Sequence, residues 1–216
     1  MKIKHGDNFR LIKKGSVHID KSVIIGNNVT IYENNRLEGE TVIGDNVTIL
    51  PGCYLKDTII EDNSVIDSTH SEKAVVGKNC SVGPFARLRP NAKICDTAKI
   101  GNFVEIKNAV IGEGSKVSHL AYVGDADVGQ NCNIGCGVIF VNYNGKSKSR
   151  TKVGNNCFIG SNCNLIAPLN IEKNSYICAG TTVTEDVCSD DFVIGRVRQE
   201  VKVNRAHDYL KTFEGE

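Results

Sequence analysis

A six-residue recurrence runs through most of the chain and leaves few folds open to it. Ile, Val or Leu stands at Ile25, Ile31, Leu37, Ile43 and Ile49, then at Val76, Val82, Leu88, Ile94, Ile100 and Ile106. After short corrections it continues at Ile111 and Val117, at Val128 and Ile134, and at Val153, Ile159, Leu165, Ile171, Ile177 and Val183. Units such as IGDNVT (43–48), VGKNCS (76–81) and VGNNCF (153–158) also keep a small or branched residue in fifth place, among them Val29, Thr41, Cys53, Cys80, Ala86, Ala98, Cys132, Cys157, Cys163 and Ser175. A helix would need recurrence near 3.6 and a free strand near 2. A period of six with two inward positions fits very short strands joined by tight turns, with Gly or Asn taking the positive-φ conformations.

Three such strands make one triangular coil of about 18 residues, and coils stack about 4.8 Å apart, as strands do in a sheet. About ten coils would form a prism on the order of 50 Å long, each coil burying its neighbours' faces. That explains a core without Trp and with 21 Gly. A β-sandwich of short strands would show turn signals about every 8–12 residues with no fixed phase. The expected fold is thus all-β, a parallel β-helix over residues 1–187, followed by a tail over 188–216 that packs on the prism or on a neighbour. NRAHDYLKTF (204–213) reads as a short helix that needs docking to be stable. Two longer breaks, 67–75 and 140–152, read as insertions, which a solenoid tolerates only at its corners and often uses for function.

Lys plus Arg number 26 and Asp plus Glu 25, a net charge of +1 that gives no reason to expect nucleic acid or an anionic membrane. No apolar stretch approaches the roughly 18–20 residues of a membrane span. The opening MKIKHGDNFRLIKKG has no apolar core like that of a secretory signal, so a cytoplasmic location is expected. Of nine cysteines, Cys53, Cys80, Cys132, Cys157 and Cys163 take the small inward place, where a thiol acts as a modest hydrophobe. Cys95, Cys136, Cys178 and Cys188 are expected to be more exposed. With no Cys-x-x-Cys pair and no zinc-finger spacing of His, no metal site is expected.

His119, in VSHLAY (117–122), falls at a corner and should look outward. Arg89, Glu105 and Lys107 lie in the preceding coils, and Tyr122, Asn133, Asn142, Tyr143, Lys146, Lys148 and Arg150 in or near the following ones. A neutral imidazole accepts a proton at pH 7, and Arg with Lys holds a phosphate. Taken singly, each also reads as a solvated surface group, the favoured reading for Lys146 and Arg150.

The stretches GPFARLRP (83–90), GNFVEIK (101–107), HLAYVGDADVG (119–129), NIGCG (133–137), NYNG (142–145) and GSN (160–162) together resemble one family. It is the C-terminal acetyltransferase domain of bacterial bifunctional UDP-N-acetylglucosamine pyrophosphorylase/glucosamine-1-phosphate N-acetyltransferase, matched from about residue 10 to 200. The resemblance implies a left-handed coil, a homotrimer with sites between subunits, and acetyl transfer from acetyl-coenzyme A to the amine of glucosamine 1-phosphate. It places the general base on His119 and phosphate ligands on Arg89 and Lys107. Acceptor-sugar contacts fall on Tyr122, Asn133 and Lys148, with Glu105 in the same group. Coenzyme A contacts fall on Cys136, Asn142, Tyr143, Ser161, Ala179 and Arg196, with an oxyanion donor near Cys136.

Two departures stand out. Cys136 replaces a usually smaller residue, and this sequence holds no nucleotidyltransferase domain with its Gly-rich, Arg-containing phosphate loop, so no pyrophosphorylase activity is expected of it. It reads either as a stand-alone acetyltransferase, for which a separate nucleotidyltransferase is a candidate partner, or as an excised domain. The rival expectations are acetyl transfer to another amino sugar or sugar nucleotide, and a non-catalytic trimeric scaffold.

Overall fold

The computed structural model describes residues 4–210. Its strands are two to four residues long, and all pair in parallel, each with its counterpart one coil away; they form three sheets of 10, 11 and 10 strands. The first sheet begins at Lys4–His5, the second at Arg10–Leu11 and the third at His18–Ile19. The result is a β-solenoid of about 11 turns, whose hexapeptide repeats fit a left-handed β-helix.

Every branched repeat position named above is at most 4% exposed, and the fifth-place residues line the core beside them. Like stacks on like, so each branched side chain meets its counterparts above and below, worth about 1.5–3 kcal/mol per residue fully buried. Phe140 is the one ring among the largest fully buried side chains. Asn supplies many turns at positive φ, and its amides form outward ladders: Asn28 donates to Asn46 at 3.1 Å, and Asn46 to Asn63 at 3.0 Å. A short polar side chain tolerates this conformation and gains a bond from it.

The expected insertion at 67–75 is not one. His70–Glu72 is a strand of the third sheet, paired with Tyr54–Lys56 on one side and with Arg87–Leu88 on the other. Ser71 takes the branched place, its hydroxyl 3.0 Å from that of Thr58, and Thr69 takes the small one, donating to the Asp67 carbonyl at 2.7 Å. Hydroxyls with partners can be buried at little cost, so the apolar rhythm lapses while the coil continues. The second break is a true insertion, a loop over 142–150.

Cys95 and Cys136 are half-buried and Cys188 exposed, but Cys178 is buried, contrary to expectation. The strand Phe192–Val193 covers it, with the Cys178 N–H donating to the Val193 carbonyl at 2.9 Å. Coiling thus runs past Val187. In the interior, burial pushes the Cys53 thiol up to about 12. Beyond Val193 the chain is mostly exposed, with one 3-10 turn at Ala206–Asp208; residues 211–213 of the expected helix lie outside the described residues. Among the described residues no helix is long and apolar enough to cross a membrane.

Candidate active site

The corner where the second sheet passes into the third carries a single file of residues. Lys116, Asn133, Phe158 and Tyr176 are partners in register on the second sheet. Three residues further along each coil stand His119, Cys136, Ser161 and Ala179. Turn bonds lock the file: Asn162 N–H donates to the Cys136 carbonyl at 2.7 Å and Gly180 N–H to that of Ser161 at 2.8 Å. Arg196 closes it, donating to the Ala179 carbonyl at 2.8 Å. Beside it the coils approach so closely that glycine is required. A Cβ on Gly135 would meet Ser161 N at 2.6 Å, and one on Gly160 would meet Ala179 N at 2.4 Å. A smooth shallow track results, flanked by the stacked rings of Phe158, Tyr176 and Phe192.

His119 ends the strand Lys116–His119 and is exposed. Its Nδ1 lies 2.7 Å from Asn102 Oδ1, the residue in register one coil before. An amide oxygen only accepts, so Nδ1–H is the donor in this contact, and in the neutral ring the lone pair falls on Nε2. The next residue, Leu120, has φ 46°, and Phe103 and Phe85 hold the corresponding turns at φ 56° and 57°. Bulky side chains rarely adopt this conformation. Here Phe85 and Phe103 stack at 5.5 Å and all three stay exposed, an apolar ridge beside the imidazole that sequence reading missed.

The adjoining face belongs to the third sheet. Arg87, Glu105 and Tyr122 are in register, and two residues on come Arg89, Lys107 and Gly124. Arg89 donates to Glu105 at 2.8 Å, which holds the guanidinium charged and leaves its other donors outward. The Tyr122 ring lies over Gly124, where an added Cβ would sit 2.3 Å from the hydroxyl. From the insertion, Lys148 comes beside Lys107, and the neighbouring amine lowers its pKa. Asn142 donates to the Tyr122 hydroxyl at 3.5 Å, so its amide stands with the third-sheet groups. Tyr143 points outward and donates to the Gly145 carbonyl at 2.7 Å, while half-buried Asn133 stays on the second sheet.

The structure therefore gathers Arg89, Glu105, Lys107, Tyr122, Asn142 and Lys148 on one face, with His119, Cys136, Ser161, Ala179 and Arg196 along its edge. Arg150 is not the solvated charge expected of it, since it makes a two-pronged pair with Asp127. Sequence reading also missed Asn102, Asn108, Asp125 and Asp127. Asp125 and Asp127 lie inside GDAD, but only the fold shows what they hold. Among the described residues no cluster suited to a metal ion occurs. A hollow of about 370 Å³, lined by residues such as Gly77, Cys95 and Gly112, lies on the first sheet, away from the imidazole.

Residues 19–89 match the GMPPB C-terminal domain, residues 73–108 the bacterial transferase hexapeptide (six repeats), and residues 150–185 the hexapeptide repeat of succinyl-transferase. The bifunctional protein GlmU of Clostridium kluyveri is 44% identical over 198 residues, 92% of this chain and 43% of its own. The chain carries hexapeptide repeats and is similar over most of its length to the GlmU proteins. GlmU of Clostridium novyi is 47% identical over 189 residues, 88% of this chain and 41% of its own. The chain thus spans less than half the length of these GlmU relatives. Among solved structures, LpxA, a UDP-N-acetylglucosamine acyltransferase from Bacteroides fragilis, shares the fold with a TM-score of 0.63 at 17% identity, covering 81% of this chain and 68% of its own.

Proposed function

We propose that the chain transfers acetyl from acetyl-coenzyme A to the 2-amino group of glucosamine 1-phosphate, giving N-acetylglucosamine 1-phosphate. One observation carries this reading: the file His119–Cys136–Ser161–Ala179 borders the face that presents Arg89, Lys107 and Lys148. Three coil steps separate Ala179 from His119, about 14 Å at strand spacing. A glycine-smoothed track of that length suits an extended thioester arm whose reactive end reaches the imidazole. The cations suit a phosphate, Arg by its planar fork and Lys as a point charge.

The chemistry follows from the tautomer. The amine attacks the thioester carbonyl while His119 Nε2 takes its proton, and Asn102 steadies the imidazolium through Nδ1–H. The carbonyl oxygen becomes an oxyanion. The Cys136 N–H, without a hydrogen-bond partner among the described residues, is the donor one coil beyond the imidazole that meets it. Collapse breaks the C–S bond, and the departing coenzyme A thiolate recovers the proton from His119. Side chains and main-chain donors carry every step, with no metal ion called for, and alignment of amine and thioester supplies much of the acceleration.

A homotrimer in the cytoplasm completes the reading. The site lies open on the surface, and the apolar ridge beside it and the exposed tail residues Val197, Val201, Val203, Tyr209 and Leu210 suit cover by a neighbouring copy. The free thiols suit a reducing compartment.

The test is coenzyme A thiol release with glucosamine 1-phosphate, glucosamine 6-phosphate and glucosamine as acceptors. Charge-assisted contacts of about 1.5–3 kcal/mol each predict that glucosamine 1-phosphate exceeds glucosamine in kcat/KM by on the order of a hundredfold. Equal rates with glucosamine would refute the phosphate assignment, and no release with any acceptor would leave a scaffold.

A further inference from the structure

The insertion that carries Lys148 is tied to the prism at both ends by two aspartates from neighbouring positions on one coil. At its start, Asn142 donates to one carboxylate oxygen of Asp125, and Asn108, from the coil before, donates to the other at 2.6 Å. The Asp125 main chain is fixed too: its N–H donates to the Lys107 carbonyl at 3.0 Å, and its carbonyl accepts from Thr151 N–H at 3.1 Å. At the far end, Arg150 donates to Asp127 through Nε at 2.7 Å and Nη2 at 2.5 Å. The same guanidinium also reaches the carbonyls of Ala126 at 2.9 Å and Asn108 at 3.0 Å, so that four of its five N–H donors are engaged.

Between these ties the loop closes on itself. Tyr143 and Lys148 form an antiparallel bridge, Ser149 N–H donates to the Asn142 carbonyl at 2.9 Å, and the Asn144 side-chain oxygen accepts from the N–H groups of Lys146 and Ser147. Two ammonium groups do not approach each other unless their backbones are held, because like charges repel and each loses hydration. Lys107 is held by the sheet. Lys148 is held by the loop, and the loop by its ties.

We propose that Asp125 and Asp127 are positioning residues that staple the two ends of the 142–150 insertion, so that Lys148 is preset opposite Lys107 as a two-ammonium receptor for an anionic group of the acceptor. That the anion is a sugar phosphate rests on the transfer reading above; the stapling does not. Asp125 adds a second effect. Nearly buried beside both lysines, its carboxylate is their countercharge when no anion is bound, which limits the repulsion the preset pair must bear.

The experiment uses the full chain with Asp127→Asn, Arg150→Gln and the conservative Asp127→Glu, each checked for an unchanged circular dichroism spectrum. Lysines are reductively methylated with 13C, which keeps their charge, and the Lys148 signal is followed against pH and inorganic phosphate. In the parent, Lys148 titrates below the ordinary lysine range and responds to phosphate. In Asp127→Asn and Arg150→Gln its titration moves up to the ordinary range and the phosphate response weakens about tenfold, a loss of about 1.4 kcal/mol; Asp127→Glu stays near the parent. In steady state the same two variants raise KM for glucosamine 1-phosphate about tenfold, with kcat and the acetyl-coenzyme A KM within twofold. An unchanged Lys148 titration in both variants overturns the proposal, whatever happens to KM. Should the parent acetylate no sugar phosphate while the Lys148 shift still vanishes with the staple, the transfer reading fails and the stapling stands.

Discussion

His119 Nδ1 stands 2.7 Å from the side-chain oxygen of Asn102, its in-register neighbour one coil earlier. This contact fixes which ring nitrogen can act. Removing it with Asn102→Ala costs one hydrogen bond, about 0.5–1.5 kcal/mol, and lowers kcat by about tenfold with acetyl-coenzyme A binding unchanged. Asn102→Asp puts a carboxylate there instead, which favours the imidazolium and removes the neutral base, so the acid limb of the pH–rate profile moves to higher pH. Steady-state rates across pH 5–9 for both variants check this; superimposable profiles for Asn102→Asp and the parent would speak against it.

Gly124 makes room for the Tyr122 hydroxyl, and an alanine methyl there would come within 2.3 Å of it. The clash falls on the far end of a side chain that can swing away, so Gly124→Ala folds with a melting temperature within about 3 °C of the parent. The displaced hydroxyl raises the acceptor KM severalfold and leaves the acetyl-coenzyme A KM alone. Initial-rate kinetics with each substrate varied in turn provide the measurement.

The Asp127–Arg150 pair makes stability depend on pH in one direction. The hydrogen bonds from Arg150 hold the Asp127 carboxyl below the ordinary carboxylate range, and burial offsets this only in part. A depressed folded value means that the stabilisation is complete above the free-chain value near 3.9 and is lost as pH falls through the folded value. The pair is partly exposed and worth about 1 kcal/mol at most, so Asp127→Asn should melt about 2 °C below the parent at pH 7. Thermal melts from pH 7 to pH 3 should show that gap steady to about pH 5 and closing below about 3.9; a gap that widens on acidification contradicts the assignment.

The prism was legible in the sequence because its determinant is local and repeated. Branched and small residues at fixed phase leave one way to bury both, and Ile43, Val76 and Val153 sit in the core as their positions require. Reading failed at 67–75, where Ser71 and Thr69 replace apolar residues and satisfy their hydroxyls inside the coil. No rule based on hydrophobic period could see that. The site was legible to the extent that stacking follows from counting: Arg89, Glu105 and Lys107 fall near one another by arithmetic on the repeat. Asn102, Asp125 and Asp127 were not, because their roles depend on side chains meeting across coils and on the path of the insertion. Arg150, which looked like a free surface charge, is held at 2.5 Å by a carboxylate far away in sequence.

The central claim is that the imidazole at the corner removes the proton from an amine held on the adjoining face. Its most direct test is turnover by His119→Ala with glucosamine 1-phosphate and acetyl-coenzyme A, beside calorimetric binding of each ligand to the same variant. The account predicts turnover lowered by about 10²–10⁴-fold with both affinities within a few-fold of the parent. Near-normal turnover, or a loss of rate matched by a loss of ligand binding, would contradict it.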